Sequence, residues 1–388
     1  MEIVRLLPQY QDEVLALRRL FHANPELSGM EFETSSRIKA ALDQLHIPWR
    51  PCGLETGVLA EIQGEKPGKT ILLRADMDAL QVQEETGLPY ASKIPGVMHA
   101  CGHDCHSAAL LTAAHILYDM RRDLCGTVKL AFQPAEETAK GAQAMIEAGA
   151  LDGVDGCFAI HVWQEVASGK VAVNCGVQMG AADMFVIDIE GKGGHGAAPH
   201  QCVDAAVVAS AMVNNLQTLV SREFDPAEPA VLTVGKMEVG TRCNVIAERG
   251  RLEGTTRYFS KDIGQRFPQA MERVVSHTAQ TFRAKAVLDY ERIMPPAINN
   301  AGMARTVQQA ASHMFGKDGV ISIRPTSGGE DFAYFMERIP GVIALVGIGN
   351  PACGAIWPHH SGKFLVDESA LLLCAGLYAQ VAVDFNAQ

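Results

Sequence analysis

Four short stretches of this sequence carry side chains able to bind metal or move protons. The densest is His99-Ala100-Cys101-Gly102-His103-Asp104-Cys105-His106. Read as extended backbone, alternate residues face the same way, so Cys101 and His103 point at one centre. A thiolate and an imidazole are strong ligands for Zn²⁺ and acceptable ones for Mn²⁺ or Co²⁺. The second stretch is Gln133-Pro134-Ala135-Glu136-Glu137, directly behind the strand-like run 128–132. Carboxylates just past the carboxyl end of a strand sit where α/β sheets place their active sites. Adjacent glutamates project in different directions, so one can ligate while its neighbour stays free as a base. His161 closes the apolar run 157–160, and His359-His360 sits in Ile356-Trp357-Pro358-His359-His360-Ser361-Gly362.

Taken singly, each stretch has an ordinary reading: a helix start with buried side chains, a solvated acidic loop, a packed core histidine. Together they offer Cys, His, Glu, His and His as ligands, with a second Glu beside them. That is the inventory of a two-metal hydrolase, which needs mixed N, O and S ligands, open positions for water and substrate, and a general base. Asp76 and Asp78 end another strand and are placed to orient ligand imidazoles from behind.

The elements that must position these groups are legible as changes of period. Val14, Leu17, Leu20 and Phe21 repeat at helical spacing, and a second helical pattern covers about 31–45. Short β-rich runs at 58–62, 70–73, 127–132 and 156–161 alternate with helices near 106–118 and 142–148, which predicts an α/β sheet flanked by helices. From about 182 to 292 the order becomes strand 185–190, helix 203–220, strand 230–239, strand 245–256, helix 262–282 and strand 286–290. This βαββαβ order is the split βαβ sandwich of a small independent domain. A helix at 301–315, an apolar strand at 342–346 and a closing helix at 368–383 resume the α/β alternation. The sequence thus predicts a larger α/β domain (1–180 and 294–388) interrupted by an inserted one (181–293).

The length of 388 residues also favours two domains. A formal net charge of −11 argues against nucleic acid or anionic lipid as a partner. The N-terminal residues include Glu2, Arg5 and Asp12 without an apolar core, unlike a signal peptide, and no apolar run approaches ~18 residues, so no membrane span is expected. Ten scattered cysteines read as reduced thiols of a cytoplasmic protein.

The strings Arg-Ala-Asp-Met-Asp-Ala-Leu (74–80), His-Ala-Cys-Gly-His-Asp (99–104), Gln-Pro-Ala-Glu-Glu (133–137) and Gly-Lys-Gly-Gly-His-Gly-Ala-Ala-Pro-His (191–200) are similar to signatures of the di-metal aminoacylase and carboxypeptidase superfamily. They most resemble its amidohydrolase branch, with hippurate hydrolases, N-acetyl-amino-acid deacetylases and auxin-conjugate hydrolases. The resemblance implies a zinc-exopeptidase-like catalytic domain with an inserted ferredoxin-like lid and dimerisation domain. It implies Cys101, His103, Glu137, His161 and His360 as ligands of two divalent ions, Mn²⁺ first and Zn²⁺ or Co²⁺ after it. His359 rivals His360, because the branch usually reads Leu-His-Asn-Pro where this chain has His359-His360-Ser361-Gly362. Glu136 is implied as general base and Asp78 as the holder of the metal-site geometry. His195, reaching into a partner subunit, is implied as the oxyanion donor. Asn244 and Arg257 resemble residues that grip the substrate carboxylate, with Ser327, Gly328 and Gly329 as a backbone-rich wall beside it. The implied reaction is hydrolysis of N-acyl amino acids by a homodimer or homotetramer, with dipeptidase or carboxypeptidase activity as the alternative. A non-catalytic metal-binding protein would have no use for the spare Glu136, and a zinc deaminase would need a Pro-Cys-x-x-Cys that is absent.

Overall fold

Strands that are apolar at nearly every position are covered on both faces. Residues 71–76 and eight of the nine residues 341–349 are buried in this way in the computed structural model, which describes residues 3–388. The chain divides into two compact units. Unit 1 runs to Gln178 and includes Ile298–Arg324 and Asp331–Gln388; unit 2 is Met179–Ala297 with Pro325–Glu330.

Unit 1 begins with α1 (Gln11–His22), α2 (Phe32–Gln44), β1 (Trp49–Pro51), β2 (Val58–Gln63), β3 (Lys66–Asp76) and α3 (His103–Asp119). It continues through β4 (Cys125–Gln133), α4 (Gly141–Glu147), β5 (Gly156–Ala167) and β6 (Val171–Ala172), and β7 (Gly176–Met179) leads out of it. Unit 2 holds β8 (Ala181–Glu190), β9 (Gly194–His195), α5 (Ala205–Thr218), β10 (Ala230–Val239), β11 (Val245–Ile246), β12 (Arg249–Tyr258), α6 (Lys261–Thr281) and β13 (Lys285–Met294). The chain returns through β14 (Ala297–Asn299), which pairs with β7, to α7 (Ala301–Phe315), β15 (Val320–Ile321), α8 (Ala333–Arg338), β16 (Gly341–Gly349) and α9 (Leu371–Asn386).

Eight strands of unit 1 form one mixed sheet in the order β1-β2-β4-β3-β5-β16-β6-β15. Its centre is parallel: β4, β3, β5 and β16 all run the same way. Their carboxyl ends therefore share one edge, where Asp76 and Gln133 stand side by side in register. Helix α9 packs on β3 and against α3 and α7. The stretch Glu368–Asn386 is, by length and composition alone, apolar enough to cross a membrane. Its apolarity has a different cause: Leu371, Cys374, Leu377, Tyr378 and Val381 are fully buried in the unit 1 core.

Unit 2 is a four-stranded antiparallel sheet ordered β10-β12-β8-β13, the split βαβ arrangement, with α5 and α6 supplying one apolar layer. Helix α6 contains Pro268, which has no N–H to offer the carbonyl of Gly264. Arg292 Nη2 donates to that carbonyl instead, at 3.0 Å. The expected single strand 245–256 is two strands, because β11 pairs with β9 while β12 pairs with β8 and β10. The expected helix 203–220 begins at Ala205, where the Asp204 carboxylate caps the Ala206 N–H, and gives way to a wider turn at Leu219–Glu223. Residues 325–330, expected with the larger domain, cluster with unit 2, tied by the Gly180 N–H to the Thr326 carbonyl at 2.9 Å.

The two cores share no residue, so each unit stands on its own packing. Phe267 is fully buried edge-on to Phe224 at 4.6 Å in the unit 2 core. Phe267→Ala should cost about 3–5 kcal/mol there. Hydrogen exchange is expected to accelerate across 179–297 while α3 and β5 keep their protection; equal acceleration in both units would contradict independent cores.

Candidate metal centre

The turn that sets Cys101 beside His103 is not extended. Gly102 has φ +91°, and α3 starts at the next residue. A Cβ at Gly102 would lie 2.4 Å from Val162 Cγ2, so only glycine fits both the dihedral and the space. Convergence of Cys101 and His103 thus comes from a left-handed turn into a helix, not from the expected alternating pattern. His161 likewise does not close its strand. β5 runs on to Ala167 because β16 stays paired with it as far as Gly349↔Ala167.

The donor atoms gather in overlapping groups. Cys101, His103 and His161 place their ligand atoms within 4.8 Å of one another, and so do Cys101, Glu137 and His360. A third group is His103, Glu136 and Glu137. Cys101 belongs to the first two, the place a ligand shared between neighbouring ions would take.

The surroundings fix which nitrogen each imidazole presents. His103 Nδ1 lies 3.2 Å from Asp78 Oδ1, leaving Nε2 buried with no hydrogen-bond partner, 4.0 Å from Glu136 Oε2 and from Glu137 Oε1. His161 Nδ1 lies 2.7 Å from the Val162 carbonyl, which only an N–H can satisfy, so its lone pair is on Nε2, 3.6 Å from Cys101 Sγ. Burial, and then the neighbouring His106 and His359 rings, hold the His161 pKa well below its usual value, so it is neutral. Glu137 Oε1 is buried without a hydrogen bond; His360 Nε2, 3.4 Å away, is outside bonding geometry.

His103 Nε2 and Glu137 Oε1, buried without hydrogen bonds inside these overlapping groups, fit cations better than they fit one another. The electrostatics agree. Burial pushes the His103 pKa down, but Asp76 and then Cys101 and Asp78 more than reverse it, so the cluster favours positive charge. Burial pushes the Cys101 thiol up, and Glu137 and Glu136 add to that. A divalent ion held there would meet this demand by taking the place of the thiol proton.

His359 and His360 separate cleanly. His359 Nε2 lies 3.0 Å from the Val162 carbonyl, and the ring stacks at 4.8 Å on Trp163. Burial brings its pKa down to about 4. His360, at φ +66°, is the one whose ring joins Cys101 and Glu137. His106 also falls near candidate ligands, but both its nitrogens are engaged: Nδ1 is 2.6 Å from Asp76 Oδ1, and Nε2 accepts the Val162 N–H at 2.8 Å. Asp76 is further bound to Arg74 at 2.6 Å. Sequence reasoning missed Arg74 and the bracing role of His106, whose signal was proximity to the motifs and nothing more.

The remaining expected residues lie in unit 2. His195 is exposed on β9, paired across to Val245, and the Gly196 N–H bonds the Asn244 carbonyl at 3.0 Å. Arg257 lies eight residues along β12 from Arg249, opposite Ala182; a Cβ at Gly329 would stand 3.8 Å from its Nη1. The expected set is therefore split: His195 belongs to the two-stranded β9–β11 sheet with Asn244 just ahead of β11, while Arg257 lies on β12 of the four-stranded sheet beside Gly329. Burial lowers the Arg257 pKa against a smaller pull from Asp183.

Gly102→Ala forces a left-handed alanine against Val162. It should destabilise the protein by roughly 1–3 kcal/mol and lower its metal content after dialysis. Unchanged stability and metal content would contradict the geometry.

The profile of the peptidase family M20/M25/M40 matches residues 72–384 of this chain. The chain is 42% identical over 366 residues to an N-acetyl-L-cysteine deacetylase of Bacillus subtilis, covering 94% of this chain and 86% of that protein. It is 36% identical over 378 residues to the IAA-amino acid hydrolase ILR1-like 4 of Arabidopsis thaliana, covering 96% and 86%. A solved structure from Bacillus subtilis, described as a dinuclear metal-binding peptidase of the M20 family, superposes with a TM-score of 0.85 at 35% identity over 97% and 98% of the two chains. With its profile matched across both units and its parallel sheet edge carrying the donor cluster, this chain belongs to peptidase family M20/M25/M40.

Proposed function

We propose that this protein is a metal-dependent amidohydrolase that cleaves N-acyl amino acids into a carboxylic acid and a free amino acid. The observation that carries the reading is a carboxylate beyond the ligand count. Glu136 Oε2 lies 4.0 Å from His103 Nε2, beside two donor triads that already share Cys101. Storing a metal needs no such group; activating water does.

Cys101, His103, Glu137, His161 and His360 would hold two divalent ions, with Mn²⁺ favoured and Zn²⁺ or Co²⁺ suited to the same donors. Bound there, the ions would lower the pKa of a water and polarise the scissile carbonyl. Glu136 takes the proton of the attacking water on its carboxylate and returns it to the leaving nitrogen. Asp78 keeps its charge, since burial is outweighed first by its bond to His103 and then by Ser28 and the Glu137 N–H, and so it holds His103 in place. Arg257, already partly desolvated, suits the substrate carboxylate, for which a planar guanidinium offers two parallel hydrogen bonds. Asn244 would add to that grip, and the Ser327–Gly329 backbone would line it. His195 would donate to the developing oxyanion.

Arg257 lies on β12 of the four-stranded sheet, while His195 and the neighbour of Asn244 belong to the separate β9–β11 pair. In a homodimer, or a pair of dimers, His195 and Asn244 would serve the partner's site. The outer strands of unit 2, β10 and β13, have an open side each, and exposed Val231, Met237 and Val287 lie on them. All ten cysteines are free, which suits the cytoplasm. The description of the similar Bacillus subtilis structure as a peptidase favours a second reading, a dipeptidase or carboxypeptidase on the same centre.

Chelator-stripped protein should release free amino acid from N-acetyl, N-benzoyl or indole-acetyl amino acids only when metal is restored. Glu136→Gln should lose at least ~100-fold in kcat while keeping its metal. Turnover of dipeptides alone would select the second reading. Metal uptake without turnover on any substrate, identical in wild type and Glu136→Gln, would sink both. Mixing inactive Glu136→Gln with inactive His195→Ala should restore about a quarter of wild-type activity, since half the dimers are mixed and each has one intact site. No recovery after subunit exchange would place His195 in its own subunit's chemistry or in none.

A further inference from the structure

Glu31 is fully buried at the head of α2, yet it does not cap that helix. Its carboxylate crosses instead to the turn that carries the glutamate pair, 104 residues away in sequence. Oε1 accepts the Ala135 N–H at 2.9 Å and the Gly29 N–H at 2.8 Å; Oε2 accepts the Thr56 hydroxyl at 2.8 Å. All three partners donate, which matches an ionised carboxylate, an acceptor at both oxygens.

The turn it holds is one that alanine does not adopt freely. Ala135 has φ +55°, and so does Ala139 at the other end. Such dihedrals persist only where the surroundings fix them. Within the turn, Ala139 N–H bonds the Glu136 carbonyl at 2.7 Å and Lys140 N–H bonds the Ala135 carbonyl at 3.2 Å. From outside, two buried carboxylates take the flanking amides: Glu31 that of Ala135, and Asp78 Oδ2 that of Glu137 at 3.0 Å. Glu136 is the residue between them. The same 28–31 segment also reaches Asp78, through Ser28 Oγ at 2.6 Å.

We propose that Glu31 is a positioning residue for hydrolysis, fixing the left-handed turn at Ala135 so that Glu136 and Glu137 face the metal centre. The assignment rests on the amidohydrolase reading for its kinetic consequence, though the brace itself is a property of the fold. Without the carboxylate, the Ala135 amide loses the acceptor that holds it from outside the turn, and the backbone relaxes away from φ +55°. A displacement of the base by an ångström is enough to cost ~100-fold in rate.

The test uses metal-loaded full-length protein with Glu31→Ala, Glu31→Gln and Thr56→Val. Glu31→Ala should lower kcat by about 10- to 100-fold well below its melting temperature, with KM within about two-fold. Glu31→Gln keeps an oxygen for the Ala135 N–H and should recover most of that loss. Thr56→Val removes a donor from the other oxygen; it should lower the melting temperature while leaving kcat within about two-fold. In metal-free protein, hydrogen exchange in a peptide spanning 133–141 should accelerate in Glu31→Ala and not in Thr56→Val. Full kcat in folded Glu31→Ala, an equal kcat loss in Thr56→Val, or unchanged exchange at 133–141 would each overturn the proposal. If wild type turns over no acylated substrate, the amidohydrolase reading fails by itself, and the exchange measurement still decides whether Glu31 holds the turn.

Discussion

One buried carboxylate, Asp78, joins three parts of the chain that otherwise have no reason to meet. Its Oδ1 faces His103 Nδ1 at the start of α3, and its Oδ2 accepts both the Ser28 hydroxyl and the Glu137 N–H. Taking a carboxylate out of water is costly, and the cost is offset only when every lone pair finds a donor. That requirement is what ties the helix start, the loop before α2 and the turn after β4 into a single arrangement. Move any one of them and a buried charge is left partly unsatisfied. The candidate metal ligands inherit their geometry from this constraint, because Nε2 of His103 can face the donor cluster only while Nδ1 is held from behind.

A second buried network does the same for the sheet edge. Arg74 donates to Asp76 at 2.6 Å, to Asp331 at 2.8 Å and to Gln133 at 2.9 Å, with every side chain out of solvent. Asp76 in turn fixes His106, whose other nitrogen takes the N–H of Val162, the residue after the ligand His161. Asp76 and His106 therefore sit among candidate ligands without being free to ligate. The distinction comes from counting partners at each nitrogen and oxygen. Proximity alone would have grouped His106 with His103 and Asp76.

The sequence reveals the donors better than it reveals what aims them. Strands buried on both faces announce themselves as apolar runs, and the candidate donors and base stand within or just beyond them, so Glu136, Glu137 and His161 are legible by position. The turn at Gly102 is not, since a left-handed residue before a helix has no periodic signature, and the alternating pattern gives the right convergence for the wrong reason. The place of His161 inside a longer strand is hidden because pairing with β16, remote in sequence, decides where β5 ends. Ser327–Gly329 read as part of the larger domain by their place in the chain, whereas pairing of Thr326 with Met179 and Gly180 and the packing of Gly329 against Ala182 and Met294 place that segment with unit 2. Glu31 has no signal at all: a glutamate ahead of a helix looks like surface charge until its partner across the fold is known.

The use of cysteine at the shared position has consequences for how the centre fills. Burial raises the Cys101 thiol, with Glu137 and Glu136 adding to it, while Asp76 raises His103 against the effect of burial. A thiol must lose its proton to ligate, so an ion held through Cys101 would compete with that proton. A thiolate also favours softer ions than a carboxylate does. Around that one sulfur, the other candidate donors, Glu137 and the imidazoles of His103, His161 and His360, are hard or intermediate.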